Sequence, residues 1–511
     1  MYKFDFTFSP ASEGVRRIKW HHYREGLKKA EAENKLALLV ISAAWCYWCH
    51  VLDDTTLSDA GIIRRLNDEL VAIRADADFE PDIEARYAQE GLPSVLILSP
   101  HGITLGGGNF FTAQELNTLI NEALNFFTNQ RLYYFQRKEE FERNLEKIRQ
   151  TPAEIKEVLD VEKIVKEVII QAVTSLDAEE PGFAGEVKFP HPQMLSFLLA
   201  YAEHEGEEEL LELPLEIIDT ILDSLLDRHE GGFYRYARSR DWNDPQTDKH
   251  LYDNALLIET LARTYRLTGN NKYLKAVEMT LDFLQKKLKN QNGLYGLCQD
   301  AVDEFGGDQS DSPKMERQPR VVLEPVTAYN ARMASSLIEL YRSTEKPDYL
   351  LEAEEIINQL LRNPYFDPEK SLPKRSAITE DLFLQDAAET INALLLLGFS
   401  KGREAYLEKA ASIYRAIKNS FFDERKLLFK DRLERSDDSG ALILHYHPLA
   451  ENCLLSESVY KMVFKGVLDK SEEQVASDIL TIFAADMAEL GPYSAPIGLA
   501  ALTGLKMKEE N

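Results

Sequence analysis

Four residues recur at one spacing in the second half of the chain. Asn254, Leu261, Tyr265 and Thr268 lie at offsets 0, +7, +11 and +14, and Asn330, Leu337, Tyr341 and Thr344 repeat both the residues and the offsets. Asp386 and Asn452 take the leading place in two further copies, with weaker agreement downstream. A repeat of this kind is a supersecondary unit that cannot bury its apolar stripe alone, so it must stack on its neighbours. Apolar residues at helical period run from Val161 onward and place helices near 161–176, 192–205, 214–228, 249–268, 271–288, 326–343, 347–362, 381–398, 402–419, 449–466, 470–490 and 495–506. Twelve helices make six hairpins. Helix starts that each present an Asn or Asp, joined by long irregular loops, predict a closed ring of inner and outer helices, an (α/α)6 toroid, over residues 161–511.

The N-terminal part is patterned differently. After Trp20-His21-His22-Tyr23 and a short amphipathic helix, the run Leu36-Ala37-Leu38-Leu39-Val40-Ile41 reads as a buried parallel strand. Ala44-Trp45-Cys46-Tyr47-Trp48-Cys49-His50 follows, and a helix from there to near Asn67 puts Cys46 at its N-terminus, where unpaired amides favour a thiolate. A strand at Leu70–Ala75, a helical turn at Glu84–Tyr87, a strand opened by Pro93, a turn at Gly102 and a helix from Ala113 to Phe127 complete the order of a thioredoxin fold over residues 1–128. Residues 129–160 read as a helical connector broken at Pro152. The fold class is therefore multidomain, α/β followed by all-α.

Composition narrows the partners. With 59 basic and 86 acidic side chains among 511 residues the formal charge is −27, which argues against nucleic acid and anionic membrane surfaces. No run reaches the length of a membrane span, Met1–Phe6 does not read as a signal peptide, and the expected location is the cytoplasm. In a reducing compartment four cysteines do not make a disulfide framework, and the close pair reads as catalytic, redox-sensing or metal-bound. Cys298 and Cys453 read as ordinary reduced cysteines.

Cys-x-Trp-Cys-His at Cys46–His50, with Asp82-Ile83 ahead of Gly91-Leu92-Pro93, resembles the spermatogenesis-associated protein 20 family, whose members join a thioredoxin-like domain to a large helical barrel. Lys188-Phe189-Pro190-His191, Gly231-Gly232-Phe233-Tyr234-Arg235-Tyr236 and Leu251-Tyr252-Asp253-Asn254 carry the same resemblance in the barrel, which implies kinship with six-hairpin glycosidases and sugar epimerases. By that resemblance Pro93 is the cis-proline facing the thiols. One departure stands out: thioredoxins proper carry a buried acid six residues before the first cysteine, and Val40 stands there. Val40 and the bulky Tyr47-Trp48 pair point to a specialised thiol site rather than a general reductase.

The candidate catalytic residues are Cys46 as attacking thiol, Cys49 as resolving thiol, His50 as a nearby positive charge, and Pro93. Cys46–His50 also fits the c-type haem attachment pattern, which needs export, and zinc would need two further ligands, so no cofactor and no metal is expected. In the barrel, glycoside hydrolysis would use two of Asp253, Asp300, Asp303, Asp386 and Glu451, and epimerisation would use histidines from His191, His250, His445 and His447. Asp253 and His250 are the catalytic candidates there, with His191, Tyr236, Asp300, Asp386 and Glu451 as ligand-binding candidates. Three functions stay open: a thiol–disulfide protein with a carbohydrate-binding barrel, a sugar epimerase or glycosidase with a non-redox N-terminal domain, or a non-catalytic scaffold. A thiol-bearing protein and a small carbohydrate are the expected partners; nucleic acid and membrane are not.

Overall fold

The computed structural model describes residues 6–155, 160–301, 319–400 and 402–510. Contacts divide the chain into two compact units, and the first takes Met1–Pro152 together with Ile378–Glu380 and Asp431–Tyr446. The second holds Ala153–Ala377, Asp381–Lys430 and His447–Asn511, so the expected unbroken barrel from 161 to 511 lends two segments to the other unit.

The first unit is built on β1 (Trp20–His21), β2 (Ala37–Ser42), β3 (Val71–Asp76), β4 (Ser94–Leu98) and β5 (Thr104–Gly108), in the order β1-β3-β2-β4-β5. β1, β3 and β2 are parallel, whereas β4 and β5 are antiparallel. Helices α1 (Tyr23–Glu33), α2 (Tyr47–Asp54), α3 (Ala60–Asp68), α4 (Pro81–Tyr87), α5 (Ala113–Asn129) and α6 (Arg131–Gln150) complete it. Every residue of β2 is buried because both faces of the sheet are covered. Leu39 and Ile41 join the apolar layer that contains Cys46 and Cys49, and Leu38 and Val40 join the opposite layer. The helix expected to run from the cysteines to Asn67 is two helices. A 3-10 turn at Thr56–Ser58 separates them, and Asp59 starts α3 by accepting the amides of Gly61 and Ile62.

The segment 431–446 is threaded through this unit. Gly440 (φ +60°) passes so close to Tyr23, Tyr87 and Leu27 that a Cβ there would lie 2.4 Å from the Tyr23 hydroxyl. The Ala441 amide donates to the Tyr87 hydroxyl (3.0 Å), which itself donates to the Gly102 carbonyl (2.8 Å). Ala441 and Leu442 belong to the same apolar layer as the two cysteines. Four buried charges hold the segment: Arg24 reaches Asp438 (2.9 Å) and Asp82 (3.4 Å), and Arg432 reaches the same two carboxylates at 2.7 and 3.3 Å. Arg86 grips Asp431 through both terminal nitrogens.

The second unit contains the twelve expected helices. They are α7 (Val161–Thr174), α8 (Pro192–Glu205), α9 (Glu212–Ser224), α10 (Leu251–Thr268), α11 (Asn271–Phe283), α12 (Thr327–Thr344), α13 (Pro347–Leu360), α14 (Leu384–Gly398), α15 (Ala405–Phe421), α16 (Leu449–Phe464), α17 (Glu473–Ala485) and α18 (Ala495–Glu509). Helices α8, α10, α12, α14, α16 and α18 touch in succession, and α18 returns to α8, which closes an inner ring. The remaining six pack outside, each against an inner neighbour, so the architecture is an (α/α)6 toroid.

The repeated asparagines have a structural task. Asn254 accepts the Phe233 amide (2.7 Å) and donates to the carbonyls of Phe233 and His250, which ties an aromatic turn to the first turn of α10. Asn330 does the same with Tyr295 and Val326, and Asn452 with Phe429 and Pro448. Asp386 departs from the pattern, accepting the Ala328 amide (2.8 Å) and facing Arg375 (3.4 Å). A second repeat went unread in the sequence. Asp177, Asp227, Asn290, Asp367 and Asp423 each accept an amide two residues ahead and so turn the chain after an outer helix.

Candidate functional site

Cys46 occupies the N-cap of α2, and the Cys49 amide donates to its Sγ at 3.1 Å. The two sulfurs form a disulfide. When that bond is reduced, the open amides and dipole of the helix start stabilise negative charge on Cys46 first. Cys46 is 5% exposed and Cys49 1%, so the small opening also favours attack at Cys46. Trp48 stands 46% exposed and makes an edge contact with Phe110, 5.5 Å between centroids. Leu92 packs against the layer that holds both cysteines, and its peptide bond to Pro93 is cis.

His50 follows Cys49 on α2 and is buried. Its Nε2 lies 2.9 Å from the Ala44 carbonyl, and since a carbonyl can only accept, that nitrogen carries a hydrogen. The ring therefore clamps the loop ahead of Cys46, and the bond needs no charge on the imidazole. Arg74 lies beside Val40 in register and makes two bonds, 2.8 and 2.9 Å, to Asp53 on α2.

Sequence reading gave no role to the acids that end and follow β3. Asp76, Asp78, Glu80 and Asp82 are all buried. Trp45, the residue before Cys46, donates its indole N–H to Asp78 Oδ2 (2.9 Å), and the Asp78 amide donates to Asp76 Oδ1 (3.0 Å). Burial, then the neighbouring Asp78, push the Asp76 carboxyl up to about 7. Alternating acids directly after an apolar strand were the available signal.

In the barrel the candidates separate into groups. His250 Nε2 lies 2.8 Å from Asp248, and its Nδ1 lies 3.8 Å from Asp253, which also faces Arg235 at 3.9 Å. His191 begins α8 with rings of Phe183 (5.3 Å), Tyr493 (5.1 Å) and Phe189 (6.2 Å) around it, and Phe189 in turn meets Tyr236 at 4.9 Å. Burial pulls the His191 imidazole down to about 4. Asp300 is buried; its amide donates to the Arg320 carbonyl, and its carboxylate accepts the Arg320 amide. Asp386 is fully buried in its bonds to Ala328 and Arg375, a structural role in place of the ligand contact expected of it. Glu451 lies in the first turn of α16. His445 pairs with Glu434 in the first unit and His447 with Asp423 in the second. Asp303 and Glu304 lie outside the described residues.

A polar cluster unforeseen in the sequence joins inner helices: Tyr252 donates to Glu389 (2.9 Å), and Arg332 reaches Glu389 (2.8 Å) and Glu259 (3.2 Å). Burial raises the Glu389 carboxyl against the pull of Arg332. The two lone cysteines are buried, and burial, with Glu451 and Glu457, holds the Cys453 thiol far above the ordinary thiol range.

Residues 11–152 match the Thioredox_DsbH family, described as a protein of unknown function, DUF255. The chain is 27% identical over 310 residues to the uncharacterized protein B0495.5 of Caenorhabditis elegans, and 24% identical over 306 residues to spermatogenesis-associated protein 20 of Homo sapiens. Each match takes in 56% of this chain but only 41% and 39% of those proteins, so the chain spans about two fifths of the length of the curated relatives it matches. Among solved structures a sugar epimerase from a ruminal bacterium superposes with a TM-score of 0.53 at 14% identity, covering 69% of this chain and 99% of its own. The likeness to spermatogenesis-associated protein 20 and the toroid stand together: a thioredoxin-like domain fused to an (α/α)6 barrel. Among the described residues no helix is long and apolar enough to cross a membrane.

Proposed function

We propose that the N-terminal unit carries out thiol–disulfide exchange through Cys46 and Cys49. The observation that carries this reading is the placement of Cys46 at the start of α2, bonded to Cys49 one turn on and backed by its amide. In the reductive direction the Cys46 thiolate forms a bond to one sulfur of a partner disulfide, and the other partner sulfur leaves as a thiolate. Cys49, after losing its proton to solvent, then attacks the Cys46 sulfur, which closes the protein disulfide and frees the partner as a dithiol. Trp48, exposed beside the pair, supplies an apolar surface for a protein partner. A reducing compartment, the cytoplasm, is the setting for such a cycle. Alkylation trapping across glutathione buffers tests it; a pair that stays in one state at every ratio rules it out.

A second reading concerns the barrel. Phe189 and the exposed Tyr493 flank His191 near an inner helix start, Tyr236 packs on Phe189, and flat exposed rings suit stacking against a sugar. Calorimetry with mono- and disaccharides tests it: heat that disappears in Tyr493→Ala and Asp253→Asn supports a small carbohydrate there, and silence from every sugar removes it.

A further inference from the structure

Three consecutive helices of the inner ring share a polar cluster whose bonds are incomplete: Tyr252 on α10, Arg332 on α12 and Glu389 on α14. Tyr252 donates to Glu389 Oε1 (2.9 Å), and Arg332 reaches the same oxygen at 2.8 Å through one terminal nitrogen and Glu259 at 3.2 Å through the other. Arg332 is 6% exposed and Glu389 2%, yet Arg332 Nε and Glu389 Oε2 have no hydrogen-bond partner among the described residues. A buried donor and a buried acceptor left open in one ion pair each forfeit the bond they had in water. One turn further along, the same three helices bond directly to one another. Asn392 on α14 donates to Ser335 on α12 (3.3 Å), and Ser336 donates to the Ala255 carbonyl of α10 (2.6 Å). The open groups lie close to solvent. Outer helices cover the outside of the ring, so a mid-helix side chain of α10 that keeps exposure faces the bore, and the Glu259 side chain is 20% exposed. Tyr252 is partly exposed as well, with its ring against Tyr329 at 5.2 Å. Its neighbour Asp253 faces Arg235 (3.9 Å), which lies over Tyr236 and so links the cluster to the aromatic group near His191.

We infer that Tyr252, Glu259, Arg332 and Glu389 form a binding site for an uncharged polyhydroxyl ligand, a neutral mono- or disaccharide, whose hydroxyls donate to Glu389 Oε2 and accept the Arg332 Nε–H. This deepens the carbohydrate reading of the barrel and rests on it. A hydroxyl both donates and accepts, so it answers an open acceptor and an open donor held in the same ion pair. A carboxylate only accepts and leaves Glu389 Oε2 open; an ammonium only donates and leaves Arg332 Nε open. Charge works in the same direction. One guanidinium stands against the two carboxylates of Glu259 and Glu389, which leaves the cluster negative and sets it against an acidic sugar. The Tyr252 hydroxyl, already spent on Glu389, holds that carboxylate in place and turns its second oxygen to the ligand.

Calorimetry of the full chain with glucose, mannose and cellobiose, and with glucuronate and galacturonate, tests the assignment. A neutral sugar should bind and the two acidic sugars should give no heat. Glu389→Gln and Arg332→Lys should each weaken the neutral sugar by about tenfold or more, because Gln turns a donor toward the ligand where the acceptor stood and Lys has no Nε–H. Unchanged affinity in either folded variant overturns this site, and if Tyr493→Ala still abolishes binding the carbohydrate reading stands without it. An acidic sugar bound as tightly as glucose overturns the assignment too. Silence from every sugar overturns the underlying reading and this one together. Should either variant fail to fold, the Arg332 Nε–H resonance of the native chain decides: a saturating neutral sugar should shift it and slow its hydrogen exchange, and a bound sugar that leaves it unmoved ends the inference.

Discussion

The start of α2 carries Cys46 and the start of α12 carries the repeated Asn330, and the two helix starts use these polar side chains in opposite ways. Asn330 is buried and gives both its N–H donors and its oxygen to the backbone of Tyr295 and Val326. Cys46 receives one amide and is otherwise held by a bond that a reductant can open. The difference teaches that polarity at a helix start is not in itself a functional signal; what counts is where its hydrogen-bonding capacity is spent. The same contrast separates the cysteines. Cys453 is buried with its thiol held protonated, and the pair at 46 and 49 meets the surface through Cys46.

The largest effect expected is on chemistry. Cys46→Ser should cut exchange with glutathione disulfide by at least about 100-fold, because Cys49 is shielded, and Cys453→Ser should leave the rate unchanged. A rate lost equally in both would break the comparison. Next in size is Asp82→Ala, which leaves two buried guanidinium groups, Arg24 and Arg432, to share the one carboxylate of Asp438 and should cost the first unit about 3–5 kcal/mol, read by hydrogen exchange in β2 and β3. Asn330→Ala should destabilise the barrel by about 2–4 kcal/mol, since it leaves a buried amide and carbonyls without partners. An Asn330→Ala protein of native stability that no longer binds a sugar would make this asparagine a ligand residue and break the comparison. The smallest effect is acid sensitivity at His191. Its imidazole titrates at about 4 in the fold, below the ordinary 6.5, so the unfolded chain takes the proton first. The stability due to neutral His191 is complete above about pH 6.5 and is lost as pH falls toward 4. Relative to His191→Gln, the native chain should lose about 2 kcal/mol over that interval, measured by denaturant unfolding, a value reduced for the partial exposure of the ring.

Much of this was legible in single residues. The six apolar residues from Leu36 give a strand buried on both faces, and Pro93 opens the expected strand after a cis bond. The twelve helices follow because a 3.6-residue apolar period can be satisfied by a helix and not by a strand. The break of α2 at Thr56 was missed because a 3-10 turn keeps nearly the same apolar spacing as a helix. The Asp-turn repeat at Asp177, Asp227, Asn290, Asp367 and Asp423 was missed because acids in loops are too common to stand out.

What the sequence determined by itself is everything local: the period that makes helices, the strand run, the close cysteine pair and the asparagine echo. These depend on neighbours within a turn or two of chain. The tertiary structure alone decided which polar residues spend their bonds on backbone, that Asp76 sits across from Ser42, and that residues 431–446 complete a unit begun more than 400 positions earlier. Those outcomes are set by long-range pairing and by burial, which change a carboxyl's or a thiol's chemistry without leaving a mark on the letters around it.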